Sequence, residues 1–125
     1  NLPAQLAEFR EPPKGLQLEV IVRKGELIVA DRNSGPLAPL PNKAAGYDFD
    51  GLAAYLQRVK MKFPEMTAAT ILLESDTPYD TLVQVMDKVR VLEVDNAGQT
   101  VQAELFPDIS IGDAPALDGA VRGGS

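Results

Sequence analysis

Apolar and polar residues alternate near the start of the chain. Four residues at every second position are apolar, which predicts a strand with one buried face: Leu16, Leu18, Val20 and Val22. Lys24 and Gly25 interrupt this pattern before the apolar run at 27–30, so residues 16–30 are predicted to form a β-hairpin. The next segment, residues 31–46, is rich in Pro and Gly and predicts a long loop.

Two later segments repeat their apolar residues at helical spacing. The first is predicted to begin at Asp50 as its N-cap, to be apolar on one side as far as Phe63 and to end at Pro64. The second is predicted to have Thr77 as its cap and Pro78 as its first residue. Its predicted buried stripe consists of Tyr79, Leu82, Val83, Met86 and Val89. Between the two helices, the apolar run at 70–74 predicts a central strand that is covered on both faces.

The last third of the chain returns to alternation. Residues 92–105 contain two alternating runs around an Asn-Ala-Gly turn, which predicts a second hairpin, with a frayed extension of the second helix as the alternative. Ile109 and Ile111 then share one face of a last strand. The predicted fold class is therefore α+β, with two helices packed on one face of a small mixed sheet. The predicted domain spans residues 16–112. It lies between a Pro-rich linker at 1–15 and a disordered, Gly-rich tail at 113–125.

The residue types that are missing from the chain limit its chemistry. Its 125 residues include no His, no Cys and no Trp. Without His, the commonest general base and metal ligand is lost, and without Cys there is no thiolate nucleophile, zinc–thiolate site or disulfide. Only carboxylates, Ser, Thr, Lys and Tyr remain for catalysis. We therefore predict neither a cofactor nor an enzymatic activity.

Charge is spread unevenly along the chain. The net charge is −6, with +2 on residues 1–63 and −8 on residues 64–125. An acidic balance argues against nucleic-acid binding, which depends on Lys and Arg at phosphates. The acidic half either keeps the surface solvated or faces a basic or neutral partner.

Three carboxylates gather where the central strand is predicted to end and the second helix to begin. Glu74, Asp76 and Asp80 could hold Mg²⁺ or supply an acid/base pair, so the alternative function is a small carboxylate-dependent enzyme or a metal-binding domain. In the other reading, Asp80 complements the helix dipole and the remaining two are solvated loop acids. The neighbouring Ser75 has no histidine or well-placed lysine to deprotonate it, so serine hydrolase chemistry is not expected.

Two aromatic residues are further candidate contacts. Tyr79 could touch a ligand, or it could belong to the core with its hydroxyl at the rim. The string Leu105-Phe106-Pro107 could mark an edge that binds a partner, or Pro107 could protect an edge strand from unwanted pairing.

Residues 79–87, Tyr-Asp-Thr-Leu-Val-Gln-Val-Met-Asp, carry a resemblance to one family. They resemble a helix of the ExbD/TolR small subunits of proton-driven envelope motors, in which a tyrosine is followed by a hydrophobic pair and a Val-Met-Asp ending. Pro78 also matches a common choice of the family, and residues 72–74 stand where its members usually show a strand that ends in Ala-Asp. Leu2 and Pro3 resemble the Leu-Pro signature found just outside the family's single transmembrane helix.

The likeness extends over residues 2–112, and the hairpin at 16–30 matches the first strands of the family. Two features depart from the family pattern: the loop at 31–46 is longer than in short members, and the hairpin at 92–105 is extra. The chain therefore resembles a divergent subgroup.

The resemblance implies the periplasmic domain of a single-pass inner-membrane protein of a Gram-negative bacterium. A transmembrane helix with a proton-carrying Asp would precede the domain and contact a polytopic subunit similar to ExbB or TolQ. In this family the periplasmic domain is a non-catalytic module that forms a homodimer, contacts a TonB- or TolA-like transducer and in some members binds peptidoglycan. The acidic half suits a basic transducer segment better than the carboxylates of peptidoglycan stem peptides. The candidate partner or dimer contacts are Leu2, Pro3, Glu74, Asp76, Tyr79, Phe106, Ile109 and Ile111.

Overall fold

The computed structural model describes residues 9–116 of the chain. Strands and helices follow one another in the order β-β-β-α-β-α-β-β-β. Their bounds are β1 Leu18–Val22, β2 Glu26–Asp31, β3 Gly35–Pro41, α1 Phe49–Lys62, β4 Ala68–Leu73, α2 Tyr79–Arg90, β5 Val91–Asn96, β6 Gln99–Glu104 and β7 Asp108–Asp113. Neither helix of residues 9–116 has the length and apolar character needed to span a membrane.

Five strands form one mixed sheet, in the order β3-β2-β1-β4-β7. β2 is antiparallel to both β1 and β3, whereas β4 is parallel to both β1 and β7. At the centre of the sheet, Ile21 of β1 pairs with Ile28 of β2 and with Leu72 of β4. β5 and β6 form a separate antiparallel hairpin. The predicted α+β class with a mixed sheet is confirmed.

Both helices pack on one face of the five-stranded sheet and close a single core. The alternation in β1 places Leu18, Val20 and Val22 in this core, as the sequence predicted. The helices contribute Leu52, Tyr55, Leu56, Val59, Val85 and Val89. Full burial of one such apolar side chain stabilises a fold by roughly 1.5–3 kcal/mol, so the shared core holds the helices on the sheet.

The opposite face of the sheet is covered by no helix of residues 9–116. Burial along β4 shows this, because Ala69 and Ile71 are buried on the helix side while Thr70 and Leu72 are half-buried on the other side. The prediction of a strand covered on both faces is wrong. α1 precedes β4 and α2 follows it, and both helices pack against the same core. The other face of β4 therefore has no helix packed on it within residues 9–116.

β3 lies within the segment 31–46, where the sequence predicted a loop, and that prediction is wrong. Leu37, Ala38 and Leu40 are buried, and the strand is paired to β2. β3 contains three prolines, which would exclude it from the middle of a sheet. It tolerates them because it is an edge strand, where every second amide has no neighbour to bond, and because a bulge opposite Val29 and Ala30 restores the same alternation on both sides of it.

Both helices begin differently from the prediction. The N-cap of α1 is Asp48, whose Oδ1 accepts a hydrogen bond from the Gly51 amide at 2.9 Å, and not Asp50, which lies in the first turn. The helix ends before Pro64, as predicted. The N-cap of α2 is Pro78 in place of the predicted Thr77, and it has no side-chain capping hydrogen bond.

The buried stripe of α2 also differs from the prediction. Val85 and Val89 are fully buried, and Leu82 and Met86 pack partly against the core. Tyr79 was predicted to belong to this stripe, but 78% of it is exposed. The part of the helix that packs on the core begins at Leu82, one turn after the helix starts, so Tyr79 projects beyond the core.

The predicted second hairpin is confirmed as β5 and β6. Its two central turn residues, Ala97 and Gly98, have φ of 55° and 84°. Positive φ at both positions is the signature of a type I′ turn, whose twist matches that of the strands. Gly98 adopts this conformation freely, whereas Ala97 does so against the preference of an L-residue.

The described part of the predicted linker, residues 9–15, contains neither helix nor strand and lies along α1. The Tyr55 hydroxyl donates to the Arg10 carbonyl, and Lys62 Nζ donates to the Pro12 carbonyl at 2.6 Å. Burial raises the pKa of Tyr55 to about 12. Residues 1–8, which include the predicted contacts Leu2 and Pro3, and residues 117–125 lie outside the described part of the chain.

Candidate functional site

Arg23 forms the centre of a polar cluster at one end of the sheet. Its Nη1 lies 3.0 Å from Glu74 Oε2, and its Nη2 donates to the Pro115 carbonyl at 2.8 Å. Its own carbonyl accepts a hydrogen bond from the Tyr47 hydroxyl at 2.7 Å. The Arg23 and Glu74 side chains are only 12% and 24% exposed. One guanidinium therefore joins the ends of β1 and β4 to the segment that follows β7.

A second ion pair lies beside the first but in solvent. Lys24 Nζ is 2.9 Å from Asp76 Oδ2, and the two side chains are 81% and 57% exposed. The hydrogen bond and charge of Lys24 hold the pKa of Asp76 below its usual value. The same contact raises the pKa of Lys24. Two of the three predicted carboxylates are thus partnered by basic residues.

Asp80 is directed elsewhere. Its Oδ2 accepts a hydrogen bond from Gln84 Nε2 at 2.9 Å, one turn further along α2. Within residues 9–116, no group of three or more acidic side chains is arranged so that it could hold a metal ion. Glu74, Asp76 and Asp80 are near one another in sequence but have three different partners, so the alternative of a three-carboxylate metal site gains no support from their geometry.

The order of the parallel strands explains why residues 9–116 form no deep crevice at Glu74. Ligand crevices of open α/β sheets lie where successive connections run in opposite directions. In residues 9–116 the connections from β1 to β4 and from β4 to β7 run in the same direction, with both helices on one face. The surface there is an open depression of ≈ 390 Å³, lined in part by Arg23, Glu74 and Asp113.

The predicted apolar contacts are divided between core and surface. Phe106 is fully buried in the core, so its side chain is not part of any surface in this conformation. Ile109 packs partly against the core, whereas 49% of Ile111 is exposed on the edge strand β7. Tyr79 stands at the surface at the start of α2. Of this set, Tyr79 and Ile111 are accessible to a partner.

Sequence reasoning missed the basic members of the cluster. The sequence pattern indicates only that Arg23 continues the polar positions of the first strand and that Lys24 interrupts the hairpin, whereas both residues follow β1 directly. The signal that could have found them is the parallel pairing of β1 with β4, which brings the residue after Val22 beside the residue after Leu73. A single sequence does not reveal which strands are neighbours.

The described residues therefore define an α+β domain with a mixed five-stranded sheet, two helices on one face and a projecting two-stranded hairpin. Comparison of the chain with protein-family models, with curated proteins and with solved structures finds no match.

Proposed function

We propose that this chain is the periplasmic domain of a small subunit of a proton-driven inner-membrane motor similar to ExbB–ExbD and TolQ–TolR. In this role it is a non-catalytic, dimerising interaction and gating module that couples to a TonB- or TolA-like transducer. Its polytopic partner would be contacted by a transmembrane helix that precedes the domain.

One observation carries the proposal. The string at 79–87 that resembles the family forms the helix α2, and Tyr79, the residue that begins this string, is exposed at the surface. Support also comes from the arrangement of both helices on one face of a mixed sheet, which agrees with the architecture that the resemblance implies. An exposed aromatic ring at a helix start is available to a partner, and Tyr is enriched in interface centres.

The proposed homodimer uses the outer edge of β7, which has no neighbouring strand in the described part of the chain. The amides of Asp108 and Ala114 donate to carbonyls beside and within β4, at 3.0 and 2.8 Å. Residues two apart on a strand direct their backbone groups the same way, so the amides of Ile109 and Ile111 point away from the sheet. The other edge strand, β3, carries three prolines that lack this donor. β7 is therefore the edge that can accept another strand by hydrogen bonding.

Sedimentation tests the dimer. We expect the chain to dimerise as its concentration rises, and Ile111→Pro to shift it to monomer because the outward amide is lost while the bonds to β4 are kept. Ile111→Thr is the matched control, since it retains the amide and should still dimerise. A wild-type chain that stays monomeric at high concentration would contradict this part of the proposal, as would a dimer unaffected by the proline.

Tyr79 can be tested against a residue of equal exposure. Met61, near the end of α1, is 77% exposed, compared with 78% for Tyr79. In cells that carry the full-length gene, we expect Tyr79→Ala to reduce motor-dependent growth or uptake, and Met61→Ala to leave it unchanged. Equal effects of the two variants would show that Tyr79 has no special role at the surface.

The codons upstream of Asn1 provide the cheapest test of the whole proposal. They should encode an apolar segment of about 20 residues with an internal Asp. If no such segment lies upstream, the motor function is wrong.

A further inference from the structure

The hairpin of β5 and β6 projects from the core, and Leu92 near its base packs partly against that core. It is anchored at its base, where the Leu105 amide donates to the Arg90 carbonyl at 2.8 Å and the Phe106 amide donates to the Val89 carbonyl at 3.1 Å. All six residues of β6 are exposed. A two-stranded sheet is marginally stable on its own in water. A third strand added to this hairpin would therefore stabilise it.

The two faces of the hairpin differ in polarity. Residues that pair directly across the hairpin share a face. One face carries Leu92, Val94, Val101 and Ala103, with the polar pair Asn96 and Gln99 at its tip. The other face consists of Val91 at its base followed by Glu93, Asp95, Thr100, Gln102 and Glu104. An apolar surface and an acidic surface thus lie back to back on the same two strands.

The outer edge of β6 pairs with no other strand within residues 9–116, so its outward backbone donors have no strand partner there. The bond between Leu105 and Arg90 sets the alternation of bonded pairs up the hairpin. By this alternation, the amides of Thr100, Gln102 and Glu104 point away from β5. β6 contains no Pro and no Lys, the residues that commonly protect an edge from pairing.

Charge indicates which kind of strand fits this edge. Residues 91–116 contain five acidic residues and no Lys or Arg. The acidic face also borders a cleft of ≈ 640 Å³ between the hairpin and the helices, whose charged lining residues are Asp50, Asp87, Lys88, Arg90 and Glu93. A second copy of the hairpin would bring like charges together, whereas Lys or Arg on the added strand would be attracted.

We propose that the outer edge of β6 binds an extended segment of a partner protein in which Lys or Arg alternates with apolar residues. The segment adds as a third strand through the three outward amides. Its apolar side chains continue the face of Val94 and Val101, and its basic side chains lie beside Glu104 and the acidic face. This inference concerns the hairpin alone and does not depend on the motor function.

A synthetic peptide tests the proposal on the full chain. The probe is an acetylated, amidated peptide of about eight residues that alternates Lys and Val, a typical strand length. We expect it to slow the amide hydrogen exchange of Thr100, Gln102 and Glu104, and to bind less tightly as salt rises. The control peptides replace Lys with Glu, or reorder the same residues as Lys-Lys-Val-Val, and both should fail to protect these amides.

Two proline variants locate the binding edge. Gln102→Pro removes an outward amide of β6 and should weaken binding at least about tenfold, which corresponds to ~1.4 kcal/mol. Asp95→Pro makes the matched change on the outer edge of β5 and should leave binding unchanged. Because Gln102→Pro could also open the hairpin, a peptide with N-methylated alternate amides is tested on the unaltered chain, and it should bind as weakly.

Several outcomes would overturn the proposal. These are protection of the β7 amides in place of the β6 amides, equal binding of the Glu peptide, and loss of binding in Asp95→Pro alone. Protection of β6 that increases with protein concentration in the absence of peptide would identify a second copy of the chain as the occupant. Absence of any protection by the Lys-Val peptide would equally reject a basic strand at this edge.

Discussion

The two neighbouring ion pairs at the end of the sheet offer a matched measurement of what burial does to a salt bridge. Arg23–Glu74 and Lys24–Asp76 connect the same two chain segments, at 3.0 and 2.9 Å, but the first is largely buried and the second is in solvent. We consider double-mutant cycles with Arg23→Met and Glu74→Gln, and with Lys24→Met and Asp76→Asn. Methionine keeps much of the apolar stem of the basic side chain, so the change is mainly in charge and hydrogen bonding.

The buried pair should show a clear coupling energy. A hydrogen bond between charged groups contributes ~1.5–3 kcal/mol, and partial exposure of Glu74 reduces this, so we expect a coupling of roughly 1–2 kcal/mol. Arg23→Met alone should cost more than the coupling, because it also removes the bond to the Pro115 carbonyl. For a domain of this size, each 1 kcal/mol lowers the melting temperature by roughly 3–6 °C.

Urea unfolding of the seven proteins in the two cycles, which share the wild type, measures these energies. The coupling of Arg23 to Glu74 should persist at about 1 M salt, because a partly buried pair is screened weakly. The Lys24–Asp76 cycle should give no measurable coupling at that salt concentration. If the two cycles gave the same coupling energy, or if the Arg23–Glu74 coupling vanished in salt, the argument that Arg23 ties the strand ends together would be wrong.

Five further substitutions test four other parts of the structure. Asp48→Ala should lower the free energy of unfolding in urea by ~1–2 kcal/mol, and Asp50→Ala by only a few tenths, because Asp48 is the capping residue. If Asp50→Ala had the larger effect, Asp50 would be the N-cap after all. Phe106→Ala should lower the free energy of unfolding by ~3–5 kcal/mol, measured by thermal unfolding. A change near zero would mean that this side chain is not in the core. Ala97→Asn should slow hydrogen exchange in β5 and β6 several-fold, since Asn accepts positive φ more readily; unchanged exchange would argue against the type I′ turn. The backbone amides of Gln17 and Ser34 donate hydrogen bonds to the buried Asp31 carboxylate and lower its pKa from the usual 3.8. Ionised Asp31 therefore stabilises the fold at pH values above 3.8. This stabilisation is lost as the pH falls through the lowered pKa of the folded state. Asp31→Asn should therefore lose less stability than the wild type when urea unfolding is followed from about pH 5 to pH 2, and parallel curves would contradict this.

Local periodicity predicted the elements whose contacts are local. The alternation at Leu18–Val22, the apolar spacing of both helices and the turn at Ala97 were sufficient to predict two hairpins and two helices. Pro64 predicted the end of α1 because proline removes a donor wherever it stands. These features depend on residues a few positions apart, so one sequence contains the information.

The remaining features depend on neighbours that are distant in the chain. β3 was hidden because its prolines look like loop residues until the strand is known to lie at an edge. The acids Glu74 and Asp76 looked like a possible site until Arg23 and Lys24 were brought beside them by the pairing of β1 with β4. Phe106, which is far along the chain from most of the core, could be placed inside or outside only by the tertiary packing.

The parallel arrangement of β1, β4 and β7 gives the domain a mechanical direction. Because β1 and β7 run the same way on either side of β4, the start of β1 and the end of β7 lie at opposite ends of the sheet. Tension applied between these two points acts along the strands, so the hydrogen bonds of β4 to both neighbours are loaded together in shear and are not broken one after another. Tension on the β5–β6 hairpin would instead peel it from its base. The sheet thus resists a force along its strand axis, whereas a force on the hairpin is resisted only by the bonds at its base.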